Sequence, residues 1–163
     1  MTREVLLRLS AVAAILGGGL RVLDAFINGN MRVQQVAYFV TDTMLIFGLC
    51  GIYLSRSNRL GLVGLLGFVS SVIGLLIVRS FGQSAYLVGA SVTLLGMVAI
   101  SVAMLVRAAF QRLAPTLWIA SLIVGVIALP FKLTWGFTVA GIIFGLGFVA
   151  AGISLKPSRA LPE

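Results

Sequence analysis

Polar residues in this chain fall in short clusters, INGNMRV, SRSNR, RSFGQS, RAAFQRLA and KLT. Between them the sequence is apolar over six segments, about 5–27, 34–55, 60–78, 85–106, 115–131 and 135–155. Each segment approaches the ~20 residues that a helix needs to cross a bilayer. Lipid offers backbone amides no partner, so a spanning segment must satisfy its own hydrogen bonds as a helix or join a closed barrel. Barrel strands alternate apolar and polar residues, whereas these runs are continuous. The connections are too short for an extramembrane domain, and they make successive helices antiparallel neighbours. Pro115 suits the first turn of the fifth segment and Pro130 its end. The expected fold is therefore all-α: one polytopic membrane domain over residues 1–163, an up-and-down bundle of six transmembrane helices.

Composition agrees. With 60% hydrophobic residues, 10% charged residues and a mean hydropathy of +1.15, the chain cannot cover itself with a water-facing surface. Its net charge of +8 would suggest nucleic acid in a soluble protein. Here the basic residues stand singly or in pairs between apolar runs, the pattern of topology signals, so the partners expected are membrane lipids and not nucleic acid. Arg3, Arg8, Arg56, Arg59, Arg107, Arg112, Lys156 and Arg159 belong to one side; Arg32, Arg79 and Lys132 belong to the other, with Arg21 nearby. The positive-inside rule then puts both termini in the cytoplasm. Tyr86, Trp118 and Trp135 lie near segment ends, where interfacial aromatic anchors are expected. The first segment has only twelve uncharged residues between Arg8 and Arg21. It also admits a signal-peptide reading, although a retained helix fits the alternation of charge better.

The chain has no histidine and a single cysteine, Cys50. This removes the usual general base and the usual metal ligands, so neither metal nor cofactor is expected. Gly141 and Gly145 form a G-x-x-x-G, which reads either as packing within the bundle or as a homo-oligomer face.

The charges inside the apolar runs are the functional clue. An Asp or Arg at the centre of a span costs ~2.5–3.5 kcal/mol, so such residues pair with one another or serve a function. By helical rise, Asp24 lies about 5 Å, Arg21 about 9 Å and Asp42 about 12 Å from the non-cytoplasmic surface. Arg21 can thus sit between Asp24 on its own helix and Asp42 across the hairpin. Asp42 shares a helix face with Tyr38 and Gln35, with Thr41 and Thr43 flanking it. Arg79 and Lys132 belong to the same membrane face. The expected ligand-binding residues are Arg21, Asp24, Gln35, Tyr38, Asp42, Arg79 and Lys132, lining a polar pocket between the first two helices. The alternative is a structural salt bridge between those helices.

The stretches GLCGIYLSRSNRLGLVGLLGFVSSVIGLL (48–76) and LVRAAFQRLAPTLWIASLIVGVIAL (105–129), followed by a glycine-rich last helix, resemble small bacterial multi-span proteins of unassigned function. The resemblance covers about two thirds of the chain and rests on its basic turns flanked by Leu and Gly. It implies a bacterial inner-membrane location and carries over no catalytic residue.

The expected function is that of a non-enzymatic integral membrane protein, either a small-molecule or lipid-binding module or an accessory subunit of a membrane complex. One alternative is an intramembrane isomerase or cyclase acting on an apolar substrate, with Asp42 or Asp24 as general acid assisted by Tyr38. Another is a homo-oligomeric transporter in which Asp42 relays a proton.

Overall fold

The computed structural model describes residues 2–26, 31–81, 85–107 and 111–155, without the side chains of 31–33, 79, 81 and 86. Asn28, Gly29 and Asn30 of the INGNMRV cluster and the basic C-terminal tail lie outside this set. The described residues form five α-helices: α1 (Arg3–Asp24), α2 (Met31–Phe81), α3 (Tyr86–Val106), α4 (Leu113–Ala128) and α5 (Thr134–Leu155). Four are long and apolar enough to cross a membrane, and α4 is shorter at 16 residues.

Five helices replace the six expected because the SRSNR cluster does not leave the helix. Its serines, arginines and asparagine are compatible with helical backbone, and it contains no proline. The resulting α2 runs for 51 residues, which would measure roughly 76 Å if straight. It is broken at one residue. Gly61 has φ 61° and ψ −161°, a combination that is essentially restricted to glycine. The chain reverses there: the rings of Tyr53 and Phe68 stack with centroids 4.7 Å apart, although 15 residues of straight helix would separate them by ~22 Å. Arg107, the C-cap of α3, donates from Nη1 to the carbonyl of Arg59 at 3.0 Å and so satisfies an orphan acceptor where the first arm ends.

The helices approach each other through small residues. In α1 the buried positions are Ser10, Ala11, Ala13, Ala14, Gly17 and Gly18, while Val5, Leu9, Val12, Leu16 and Leu23 face outward. This inverts the arrangement of a soluble helix, and it suits lipid, where leucine has no reason to hide and close backbone contact drives packing. The consecutive glycines divide the work by helical rotation. A Cβ on Gly17 would lie 2.9 Å from Cβ of Met44 in α2, one on Gly18 would strike the carbonyl oxygen of Gly145 in α5, and one on Gly19 would meet nothing. Ala14 against Gly48 and Ser10 against Gly51 continue the antiparallel seam with α2, and Ala11 against Gly152 continues the one with α5.

The second arm of α2 and α3 share another such seam. Gly67, Ser71 and Gly74 face Gly89, Thr93 and Gly96, so closely that a Cβ on Gly67 would lie 2.7 Å from the carbonyl oxygen of Gly96. Buried hydroxyls here turn back onto their own helices, Ser71 to Gly67 at 2.8 Å and Thr93 to Gly89 at 2.9 Å. Between α4 and α5, Ser121 donates to the carbonyl of Ala140 at 2.8 Å.

Trp118 is not an interfacial anchor. It is fully buried, meets Phe148 edge-on at 5.3 Å, and its indole fills the notch that Gly147 leaves in α5. Its place near the start of α4 suggested an interface, but the small residue opposite draws the ring inward. Trp135, by contrast, is exposed at the start of α5.

Three substitutions test this packing by thermal unfolding in detergent. Gly18→Ala should cost about 1–3 kcal/mol, because the new methyl meets backbone that cannot rotate away. Gly19→Ala should cost nothing and gain up to ~1 kcal/mol from helix propensity. Gly61→Ala should cost roughly 1–3 kcal/mol through backbone strain, with the Arg107–Arg59 contact displaced as well.

Candidate functional site

The α1 glycines dictate where the charges one turn further along the helix come to rest. By bringing α1 against α2 on one side and α5 on the other, Gly17 and Gly18 carry Arg21 and Asp24 into a seam where three helices meet. Arg21 leans toward α5. Its Cβ would lie 3.2 Å from a Cβ built on Gly145, and its Nε 3.9 Å from one on Gly141. The G-x-x-x-G of α5 is thus a groove that receives the aliphatic stem of an arginine from the same chain, with the guanidinium carried along α5 beyond it.

Asp24 leans toward α2. Its carboxylate lies close enough to Arg21 for their charges to attract, and the Thr41 hydroxyl of α2 stands beside it. The two lie close enough to interact, though without the geometry of an ordinary hydrogen bond. Thr41 Oγ1 and Asp24 Oδ2 are both buried and both lack a hydrogen-bond partner among the described residues. Thr41 is fully buried, so its hydroxyl depends on the few polar groups around it.

The other expected residues take several positions. Asp42, next to Thr41, is half-buried. Gln35 and Tyr38 lie on the exposed flank of α2 instead of between helices. The Arg79 side chain lies outside the described residues.

Lys132 is exposed in the turn between α4 and α5, where its backbone rather than its charge does the work. It adopts φ 51°, its N–H bonds to the carbonyl of Leu129 at 3.2 Å, and the N–H of Leu133 bonds to Ala128 at 3.1 Å. This is the paired C-terminal cap that stops a helix, with lysine at the left-handed position usually held by glycine. The structure therefore gathers Arg21, Asp24 and Thr41, with Asp42 alongside, and leaves Gln35, Tyr38 and Lys132 at the periphery.

Thr41 was visible in the sequence only as a flanking residue. Its signal was the helical offset: it lies one position from Asp42, hence about 100° away and turned toward α1. The part played by α5 had no local signal. Chemically the cluster offers a cation, a carboxylate and a hydroxyl at one end of an apolar helix assembly, a set that matches a polar head group or a small zwitterion. Among the described residues no group of three His, Cys, Asp or Glu side chains is placed to hold a metal ion. Comparison with known protein families, with curated proteins and with solved structures finds no match for this chain.

A double-mutant cycle measures whether Arg21 and Asp24 act as a pair. Arg21→Leu and Asp24→Leu should each lower unfolding stability in detergent. The double variant should recover part of the loss, with a coupling of about 0.5–3 kcal/mol. Additive losses would mean that the two charges do not sense one another. Separately, Lys132→Gly should raise stability by a few tenths of a kcal/mol to about 1 kcal/mol, by relieving the left-handed backbone.

Proposed function

We propose that this chain is a non-enzymatic, multi-pass protein of the bacterial inner membrane that holds the polar part of a small molecule or lipid at the Arg21–Asp24–Thr41 cluster. It acts as a binding module in its own right or as an accessory subunit of a membrane complex. The observation that carries this reading is a pair of buried atoms, Thr41 Oγ1 and Asp24 Oδ2, that make no hydrogen bond of ordinary geometry among the described residues and lie near an arginine in a seam of apolar helices. Intramembrane ionisable groups are expensive, and buried polar groups poorly satisfied among the described residues are where an outside partner can be accommodated. A general acid for an apolar substrate would instead need a carboxyl facing an apolar cavity, whereas Asp24 lies beside the Thr41 hydroxyl and within the field of the Arg21 charge.

The proposed topology has six crossings. The break at Gly61 divides α2 into arms of ~45 Å and ~30 Å, each long enough for a hydrocarbon core of ~30 Å. The cap at Lys132 prolongs α4 beyond Ala128. Both termini then share one side, and the balance of basic residues makes that side the cytoplasm. A fluorescent reporter fused to either end should fluoresce, and a periplasm-dependent phosphatase in the same places should be inactive.

Native mass spectrometry of the detergent-purified protein tests the site. Wild type should carry a co-purifying small molecule or lipid that Asp24→Asn and Thr41→Val both lose while remaining folded. Identical bound species on all three proteins, or none on wild type, would remove the proposal.

A further inference from the structure

A second polar concavity lies at the opposite end of α1 from Arg21 and Asp24. The tip of the first arm of α2 and the start of α1 enclose about 140 Å³, lined by Arg3, Ser55, Arg56, Ser57, Asn58 and Arg59. Half of that lining is arginine and none of it is carboxylate. Glu4, the nearest acid in sequence, is engaged by Arg8 one turn along α1. Arg3 reaches across the helix pair, its Nη2 3.5 Å from the carbonyl oxygen of Leu54. Among the described residues the side chains of Arg56 and Arg59 meet no acceptor.

An excess of positive charge at this end is what topology alone requires. Topology does not require three arginines to line one cleft. Arg107 shows the contrast, since its charge belongs to the same end but it caps the Arg59 carbonyl and does not line the cleft. Three arginines, the Ser57 hydroxyl and the Asn58 amide line an open cleft, the Ser55 hydroxyl being turned back to the Ile52 carbonyl. Such a set suits a tetrahedral oxyanion, because guanidinium pairs with phosphate through two parallel hydrogen bonds. Basic pockets between membrane helices are a recurrent way of holding acidic head groups.

We propose that the Arg3–Arg56–Arg59 cleft is a phosphate site, filled by the head group of an anionic phospholipid or by a free phosphate anion. This site is independent of the Arg21–Asp24–Thr41 cluster and does not rest on the function proposed there. The cleft opens where the Gly61 reversal brings the chain to one surface, level with the head groups if the helices span a bilayer.

The test uses the full chain in lipid nanodiscs made of phosphatidylcholine alone, of phosphatidylcholine with phosphatidylglycerol, or of phosphatidylcholine with added inorganic phosphate. Reaction of arginines with phenylglyoxal is read by peptide mass spectrometry. Arg56 and Arg59 should be protected several-fold relative to Arg112, an exposed arginine at the start of α4. Protection by phosphatidylglycerol only assigns the site to a lipid, and protection by inorganic phosphate assigns it to the free anion. Equal labelling of Arg56, Arg59 and Arg112 under all three conditions would overturn the proposal.

As a second measurement, Arg56→Gln and Arg59→Gln should each weaken retention of phosphatidylglycerol by roughly tenfold in native mass spectrometry. Arg112→Gln should leave it unchanged. An equal loss from Arg112→Gln would show attraction to a basic surface rather than binding in the cleft, and would also overturn the proposal. The labelling experiment needs no variant, so it stands even if a glutamine variant fails to fold.

Discussion

Backbone against backbone is the contact on which this structure depends. In lipid, a leucine gains nothing by facing another helix, so association must come from dispersion over closely matched surfaces. Gly18 and Gly145 supply it where α1 meets α5, and Gly67, Gly74, Gly89 and Gly96 supply it where the second arm of α2 meets α3. Each seam is made by residues whose lack of side chain is their contribution. The large apolar residues of α1 are left on the outside. The same closeness admits the stem of Arg21 into the α5 groove, so helix packing and candidate site share one cause.

Helix content was legible because the apolar runs are long and unbroken. The expected 85–106 and 135–155 lie within a residue of α3 and α5 at every boundary. The departure comes at SRSNR, where polarity suggests a loop and the backbone stays helical. The reversal falls instead at Gly61, whose backbone conformation only glycine readily adopts, and the guanidinium of Arg107, nearly fifty residues away in sequence, caps the carbonyl of Arg59 beside it. Trp118 departs from expectation for a similar reason. Position along a helix can suggest an interface, but only the partner helix, here with Gly147, determines which way a ring turns.

The site was half legible. Arg21 and Asp24, one turn apart in an apolar helix, declare their closeness through spacing alone. Thr41 could have been added by the same geometry. The involvement of α5 could not, because no periodicity relates the first helix to the last. Tyr38 and Gln35 share a flank of α2 with Asp42 as spacing required, yet that flank faces outward at those two residues. Spacing fixes which residues stand together on a helix; it does not say what the face meets.

The pairing of α1 with α5 has a consequence for how the protein is made. The ribosome releases α1 long before α5, and until α5 arrives one whole side of α1 lacks its matching surface. Through that interval Arg21 has no groove for its stem, so α1 must fold carrying a charge whose shelter is not yet synthesised. Final closure therefore waits for the last helix, which acts less as an appendage than as a latch. A ribosome stalled before Gly141 would leave α1 unfastened, with its small-residue stripe open to other helices.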